Sequence, residues 1–561
     1  MTDSLTNERK TSPRMQAHAR RWLLPGFLLL AYVLQCAWFI RTQSLTYDEP
    51  PHIRAGLEAW RNHRFEVWND HPPLARLLCT LPLIDTRWQI DVESEANGGW
   101  HVPRIAPDPE SLAHRARSMN VLLGVILAIL VWSTARQMFS LGAANLALGL
   151  FAFSPPIIAH FSLATTDGAA ALFVFAVAAG LVRWKKQTSM LRSVVFGVLL
   201  GLLLLAKFST PPIFVLATAW VLVLTPDGFC INPRRWNWTK ACVALLIAIL
   251  ILWAGYFCHI SHVFIKDGEL TATFPNRASY VHKVRSTNLN VAVPLAAGEY
   301  VQGLYQVFQH NKRGHPAFFL GQVSARGGFR LFYPTAVLLK WPIIALILFV
   351  LGLVLLLRRV IPVPDGLWVI STFPAVYFAL AMVSRLNLGE RHVLPVYPFM
   401  LLFAGATWEA AKVRGLAKAT LILTVLLQLG DAFRNAPDYL TYFNFFAPPS
   451  KSYRLLTDSN LDWGQGLLAV RDYETSHPGE PISLAYAGSM DPRVYGIHAR
   501  LLSEGERATG TIIVGATVLS GQYLNHPDSY HWLLQYPRTN ILAHSMYVFQ
   551  VPAADAKTDG R

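Results

Sequence analysis

Charge is scarce in this sequence. Only 15% of its 561 residues are Asp, Glu, Lys or Arg, against roughly 25% in soluble globular domains, which excludes an ordinary soluble enzyme. Acidic residues are the scarcer kind: 34 Asp and Glu face 49 Lys and Arg, a formal net charge of +15. Cysteine is limited to Cys36, Cys79, Cys230, Cys242 and Cys258. They are scattered, odd in number and without C-x-x-C spacing, so neither a disulfide framework nor a zinc site is expected. No GxSxG, HExxH or nucleotide-binding fingerprint occurs, and Gly327–Gly328 lacks a P-loop context. Internal repeats and low-complexity segments are absent too, and 12% aromatic residues exclude a disordered chain.

Long apolar runs are what the sequence has. With 53% hydrophobic residues and a mean hydropathy of +0.33, the chain reads as a membrane protein. A helical span takes about 20 mostly apolar residues, and about eleven runs of that kind are present. They begin near Trp22, Met119, Gly142, Asp167, Val194, Pro211, Ala241, Pro334, Gly366, Val393 and Leu416. The first ends at Arg41–Thr42–Gln43 without a small-residue cleavage site, so it is read as a retained span.

Basic residues set the expected orientation. Arg20, Arg21, Arg136, Arg183, Lys185, Lys186, Arg234, Arg235, Arg358 and Arg359 flank one side of the spans. The short loops on the other side carry only Lys207, Arg385 and Arg391. This asymmetry predicts a cytoplasmic N-terminus and a plasma-membrane protein. The net charge is thus an inner-face bias, and no nucleic-acid partner is expected. Asn237–Trp238–Thr239 fits a glycosylation acceptor but falls on the inner side. Outside lie loops 41–118 and 259–332 and the tail 432–561, whose short apolar stretches Ile482–Tyr486, Thr511–Val518 and Met546–Val551 read as strands. The expectation is an all-α polytopic membrane part, residues 1–431, with a small α/β extracytoplasmic C-terminal domain, residues 432–561.

Acidic turns mark the outer loops. Tyr47–Asp48–Glu49–Pro50–Pro51–His52 follows the first span, with two prolines to stiffen the turn and start a helix. Adjacent carboxylates at a membrane surface repel and lose hydration, which tends to raise a pKa. Helix capping by solvated acids is the plain alternative. Asn69–Asp70–His71–Pro72–Pro73 repeats the pattern, ahead of Leu74, Leu77, Leu78 and Leu81, an apolar stripe expected to lie on the bilayer. Asp167 opens a span, where capping alone would suffice. Lys207 and Arg391 are the cations of this side. Either they snorkel to lipid phosphate or they recognise a phosphate on a membrane-bound substrate.

Together these motifs resemble bacterial glycosyltransferase family 39, relatives of the protein O-mannosyltransferases. The residues carrying the likeness are Tyr47–His52 and Asp70–Leu77, then Gly314–His315–Pro316–Ala317 and Phe332–Tyr333–Pro334 through Leu339–Lys340. Gly389–Glu390–Arg391–His392 through Pro398 and Asp458–Ser459–Asn460–Leu461–Asp462–Trp463–Gly464–Gln465 complete it. The resemblance implies a GT-C fold and transfer of a sugar from a polyprenyl phosphate to an acceptor hydroxyl at the outer face. It marks Asp48 as the candidate base with Glu49 beside it. Asp70 stands at the acidic position that precedes Pro–Pro in aminoarabinose-transferring relatives, with His71 where those carry Lys. Asp167 matches the acidic residue that starts their fourth span.

The reading from residues and resemblance is a polyprenyl-phosphate-sugar-dependent hexosyl- or pentosyltransferase, inverting because one displacement suffices. Asp48, Glu49 and Asp70 are its catalytic candidates, and His71 and Asp167 position the acceptor or the loops. Lys207 and Arg391 are expected to bind the donor phosphate. No cofactor is required by this chemistry, and a divalent metal is left open. The acceptor is left open between lipid, glycan and protein; the large luminal insertion of the eukaryotic mannosyltransferases is missing, so nothing favours a protein. A transporter or flippase of lipid-linked substrates is the rival reading, although inverted repeats and interrupted midplane helices are not evident.

Overall fold

The apolar runs become helices that pack around two strongly buried spans, Asp167–Lys186 and Glu390–Ala411. The computed structural model describes residues 13–65, 69–86, 90–92, 101–103, 108–224, 237–266, 269–272, 293–412, 414–448 and 450–553. In chain order the first helices are α1 (Pro13–Thr42), α2 (Glu49–Asn62), α3 (Leu74–Thr80), α4 (Pro109–Met138), α5 (Leu141–Ala152) and α6 (Pro155–Phe161). Next come α7 (Asp167–Lys186), α8 (Met190–Ala206), α9 (Thr210–Leu224), α10 (Trp238–Gly255) and α11 (Gly298–Arg313). The last of the bundle are α12 (Phe332–Lys340), α13 (Ile343–Leu357), α14 (Leu367–Val383), α15 (Tyr397–Ala411) and α16 (Gly415–Arg434).

Every one of the eleven expected runs is helical, but they are not eleven uniform spans. Among the described residues, six helices are long and apolar enough to cross a membrane, or up to eight if each of two bent pairs counts as one span. The pairs are α5 with α6, bent by 66°, and α12 with α13, bent by 113°. Proline causes both breaks: Pro155–Pro156 opens α6, and Pro342 precedes α13, where a ring cannot continue the hydrogen-bond ladder. Helices α8, α9 and α14 are shorter apolar helices.

Burial separates the centre from the lipid-facing rim. Of the most apolar stretch of α7, 89% is buried, against 17% for α16 and 11% for α10. Leu245, Leu246, Ile249 and Leu250 of α10 and Ile422, Leu423, Leu426 and Leu427 of α16 are exposed. Apolar surface of that extent is stable only against lipid or another apolar partner.

The tail is a five-stranded mixed sheet. Its order is Arg538–Leu542, Met546–Val551, Gly510–Gly515, Ile482–Ala485 and Arg500–Leu501. The first three strands pair antiparallel, and Ile482–Ala485 runs parallel to both its neighbours. All three strand segments expected from the sequence are present, with helix Leu467–Ser476 leading into the sheet. The tail is stitched to the end of α1. Ser44 N–H donates to Gln465 O at 3.0 Å, Tyr47 N–H to Trp463 O at 2.9 Å, and Ser489 Oγ–H to Tyr47 O at 2.7 Å. Those bonds fix where Asp48 stands.

Candidate active site

A cavity of about 810 Å³ opens where the tail meets the bundle, and Asp48, Asp70, His71, Lys207 and Arg391 all line it. Asp167 lies just behind the wall, paired to two of them. Helix α7 begins at Asp167, but the carboxylate does not cap it; it accepts a hydrogen bond from Lys207 Nζ at 2.5 Å and lies 3.6 Å from Arg391 Nη1. Lys207 follows the last residue of α8 and is 7% exposed, and Arg391 is 6% exposed. Neither snorkels. Both face carboxylates, as ionisable groups at bilayer depth normally do.

Asp48 is not a solvated cap either. Its side chain makes no capping hydrogen bond to α2, and instead accepts one from Arg391 Nη1 at 2.8 Å. Burial raises its pKa above the ordinary carboxylate value, and Arg391 opposes that shift. Arg391 is itself held in place: its Nε donates to Ser459 Oγ at 3.0 Å, and its guanidinium lies 4.0 Å from the Trp463 ring centre. Beneath it, Lys340 donates to the carbonyls of Leu440 and Asn460 and lies 3.5 Å from Glu390, so α12 clamps the loop carrying Arg391 to the tail.

Glu49 parts from the expected catalytic set. It is fully buried and absent from the cavity wall. Both its oxygens are taken: Arg117 donates at 2.8 and 2.7 Å, Ala164 N–H at 2.8 Å, and Thr46 through its amide and hydroxyl at 2.8 and 3.0 Å. Burial pushes its pKa up, but Arg117 outweighs that and leaves it below the ordinary value. A carboxylate so saturated holds structure and has no lone pair to offer a substrate.

The second acidic turn is also tied back. Arg76, expected on another face of the amphipathic helix, is buried; it donates to Asp70 Oδ1 at 2.7 Å and to His52 Nδ1 at 3.1 Å. Helix α3 therefore packs inward against α2 and α4 rather than serving only as a surface anchor. Burial would raise Asp70, yet His71 and Arg76 outweigh it and hold the carboxyl well below its usual range. Burial pulls His71 down to about 4, leaving the ring neutral at pH 7 and Arg76 as the counter-charge.

Sequence reasoning passed over Asp458. It lines the cavity beside Arg391, and burial pushes its pKa up to about 6. Its place at the head of Asp458–Ser459–Asn460–Leu461–Asp462–Trp463–Gly464–Gln465, one of the motifs that carry the family likeness, was the available signal; its closeness to Arg391 depends on the fold. Among the described residues, no group of three or more His, Cys, Asp or Glu side chains is placed to hold a metal ion.

Fold and cavity together define a polytopic membrane protein with a charged, partly apolar site at one end of its bundle. Residues 65–264 match the family model for Dolichyl-phosphate-mannose-protein mannosyltransferase. The matched stretch holds Asp70, His71, Asp167 and Lys207; Asp48, Arg391 and Asp458 lie outside it. The chain is similar to ArnT from Cupriavidus metallidurans bound to undecaprenyl phosphate, at 12% identity over 96% of this chain and 99% of that one, with a TM-score of 0.46. It is similar to the S. cerevisiae protein O-mannosyltransferase complex bound to the sugar donor, at 11% identity over 74% and 89%, TM-score 0.45. The Archaeoglobus fulgidus oligosaccharyltransferase matches at 13% identity over 86% and 64%, TM-score 0.45. No curated protein matches the sequence.

Proposed function

We propose that the chain transfers a sugar from a polyprenyl-phosphate donor to an acceptor hydroxyl at the outer face of the plasma membrane. The observation that carries this reading is the cavity's composition. Its lining combines apolar Pro212, Ile213, Leu304, Val307 and Phe308, which suit a lipid chain, with Lys207 and Arg391, which suit a phosphate.

The chemistry is a single displacement. The acceptor oxygen forms a bond to the anomeric carbon while the bond from that carbon to the phosphate oxygen breaks, its electron pair leaving with the phosphate. Inversion follows. Asp48 takes the hydroxyl proton, for which its raised pKa and cavity position qualify it. Lys207 and Arg391 stabilise the charge growing on the departing phosphate. In the structure both are already paired with Asp167 and Asp48, so donor binding exchanges a carboxylate for a phosphate without leaving a cation bare. Asp70 and His71 hold the second turn against the cavity, and Asp167 aims Lys207. Glu49 and Arg117 set the backbone of the Asp48 turn.

The excess of basic residues on the other side of the spans supports an extracytoplasmic position for this cavity. Mass analysis of lipid-linked sugars and envelope glycans in a deletion strain tests the reading. A lipid-linked sugar should accumulate and one glycan modification should vanish; an unchanged profile of both overturns it.

A further inference from the structure

Asp458 is a cavity carboxylate to which the transfer step gives no task. It is 5% exposed, and its hydrogen-bond donors are all neutral. The Tyr523 hydroxyl and Gln522 Nε2, the latter at 3.3 Å, donate to Oδ2, and the Ser459 amide donates to Oδ1 at 2.5 Å. Arg391, the cation whose field reaches it, gives its own hydrogen bonds to Asp48 and Ser459. The backbone at Asp458 has φ 58°, a left-handed conformation rare outside glycine, and its amide is anchored on Thr517 Oγ1 at 3.0 Å. A buried carboxylate without its own counter-ion, on strained backbone, is costly, and such costs concentrate at functional sites.

The wall around it has a definite chemistry. Among the described residues, the tail contributes Asp458, Asp462, Trp463, Ala487, Gly488, Thr517 and Tyr523 to the cavity, and no lysine or arginine. The cavity's cations, Lys207 and Arg391, belong to the bundle. We propose that Asp458 receives the acceptor by taking a hydrogen bond from a hydroxyl of an uncharged glycan lying against the tail wall. This rests on the transferase reading and adds the acceptor's class to it. A phosphate-bearing acceptor would meet two carboxylates and no spare cation. A sugar ring presents several hydroxyls, which the carboxylate and the Tyr523 hydroxyl can meet, and Tyr47 adds an exposed aromatic face to the cavity. A single serine or threonine hydroxyl would leave most of these partners unmatched.

The test separates the acceptor from the donor. Full-length protein in nanodiscs is assayed for binding undecaprenyl phosphate. Membranes are assayed for transfer, with products sorted by mass into glycan, protein and phosphate linkages. The wild type should place sugar on an uncharged glycan hydroxyl. Asp458→Asn should lower transfer about 10²-fold, as misplacing a reactant does, with carrier binding unchanged, and Asp458→Glu should recover part. Tyr523→Phe removes a hydrogen bond to the ionised carboxylate, so the acid limb of the transfer profile should move to higher pH. The groups facing Asp458 in that titration are Arg391 and Asp48 from the bundle and Asp462, Tyr523 and Gln522 from the tail, with His315 edge-on to Tyr523. Sugar found on a phosphate, or on serine or threonine, overturns the acceptor class. Full transfer by Asp458→Asn, or equal loss of carrier binding and transfer in both Asp458 variants, overturns the role. A wild type that fails to bind undecaprenyl phosphate sinks the transferase reading, and this inference with it.

Discussion

Asp48 and Glu49 are neighbours in sequence, and each pairs with an arginine, yet the two pairs have opposite surroundings. Glu49 and Arg117 are both fully buried, with five hydrogen bonds closing on the carboxylate. Asp48 meets Arg391 on the wall of a cavity, its side chain 27% exposed. The start of α2 makes the difference, because successive residues at a helix N-terminus point about 100° apart. One carboxylate turns into the core and the other into the site. The pair in the core stabilises the turn, and the pair in the cavity remains able to exchange partners. Charge pairing alone therefore does not mark function; access does.

The comparison breaks most visibly at Asp48. Asp48→Asn keeps the size and removes the base, so transfer should fall by about 10² to 10⁴-fold at unchanged expression. Sugar transfer in membranes from the two proteins measures it, and near-normal transfer would remove Asp48 from the mechanism. Arg391→Ala should cost about 10²-fold, as losing a charge-stabilising donor does, with Arg391→Lys recovering only part because its planar fork is lost. Should both variants transfer sugar at the wild-type rate, the phosphate site lies elsewhere in the cavity.

How much of this was legible in the sequence follows from the kind of signal. Hydrophobic runs are local, so all eleven emerged as helical segments, and the proline-broken ones were miscounted only as straight spans. The acidic turns were legible because proline fixes the backbone beside them. The partner of Glu49 was not. Arg117 fell in the expected loop 41–118, whereas α4 begins at Pro109 and buries it. Asp108–Pro109–Glu110 carried the missed signal: a capping aspartate whose side chain accepts from Glu110 N–H, followed by proline at the first helical position. Asp458 was harder still. It meets Arg391 only after the tail folds back on the bundle, and no spacing encodes that.

Glu49→Gln separates fold from chemistry. It leaves Arg117 buried without its counter-charge, a loss of about 3–5 kcal/mol when one partner of a buried pair is removed. Expression and thermal stability should fall, while the protein that does fold should transfer sugar at a rate close to wild type. A variant of normal stability with lost transfer would move Glu49 back among the catalytic residues.

Acidification offers the mildest and most discriminating contrast. Burial raises Asp48 and pushes Asp458 up to about 6, so both take up protons early as the pH falls. Burial would raise Glu49 too, but Arg117 prevails and lowers it from its ordinary 4.5. The signs then separate. A carboxylate depressed in the folded state contributes stability that is fully present above its unfolded value and is lost only as pH drops through the folded one. Transfer that needs ionised Asp458 should instead decline by about tenfold per pH unit below 6, and a need for ionised Asp48 adds to the loss on the same acid side. Between pH 6 and 4.5 the protein should therefore stay folded while its transfer fades, reversibly. Thermal melts and transfer rates across that window, on the same membranes, measure both curves. The residual activity of Asp48→Asn then assigns the limb: if it persists there, Asp458 governs it, and if it vanishes, Asp48 does. Transfer that holds constant down to pH 4.5 would mean that Asp458 does not have to be ionised, and its place in the acceptor site would lose its support.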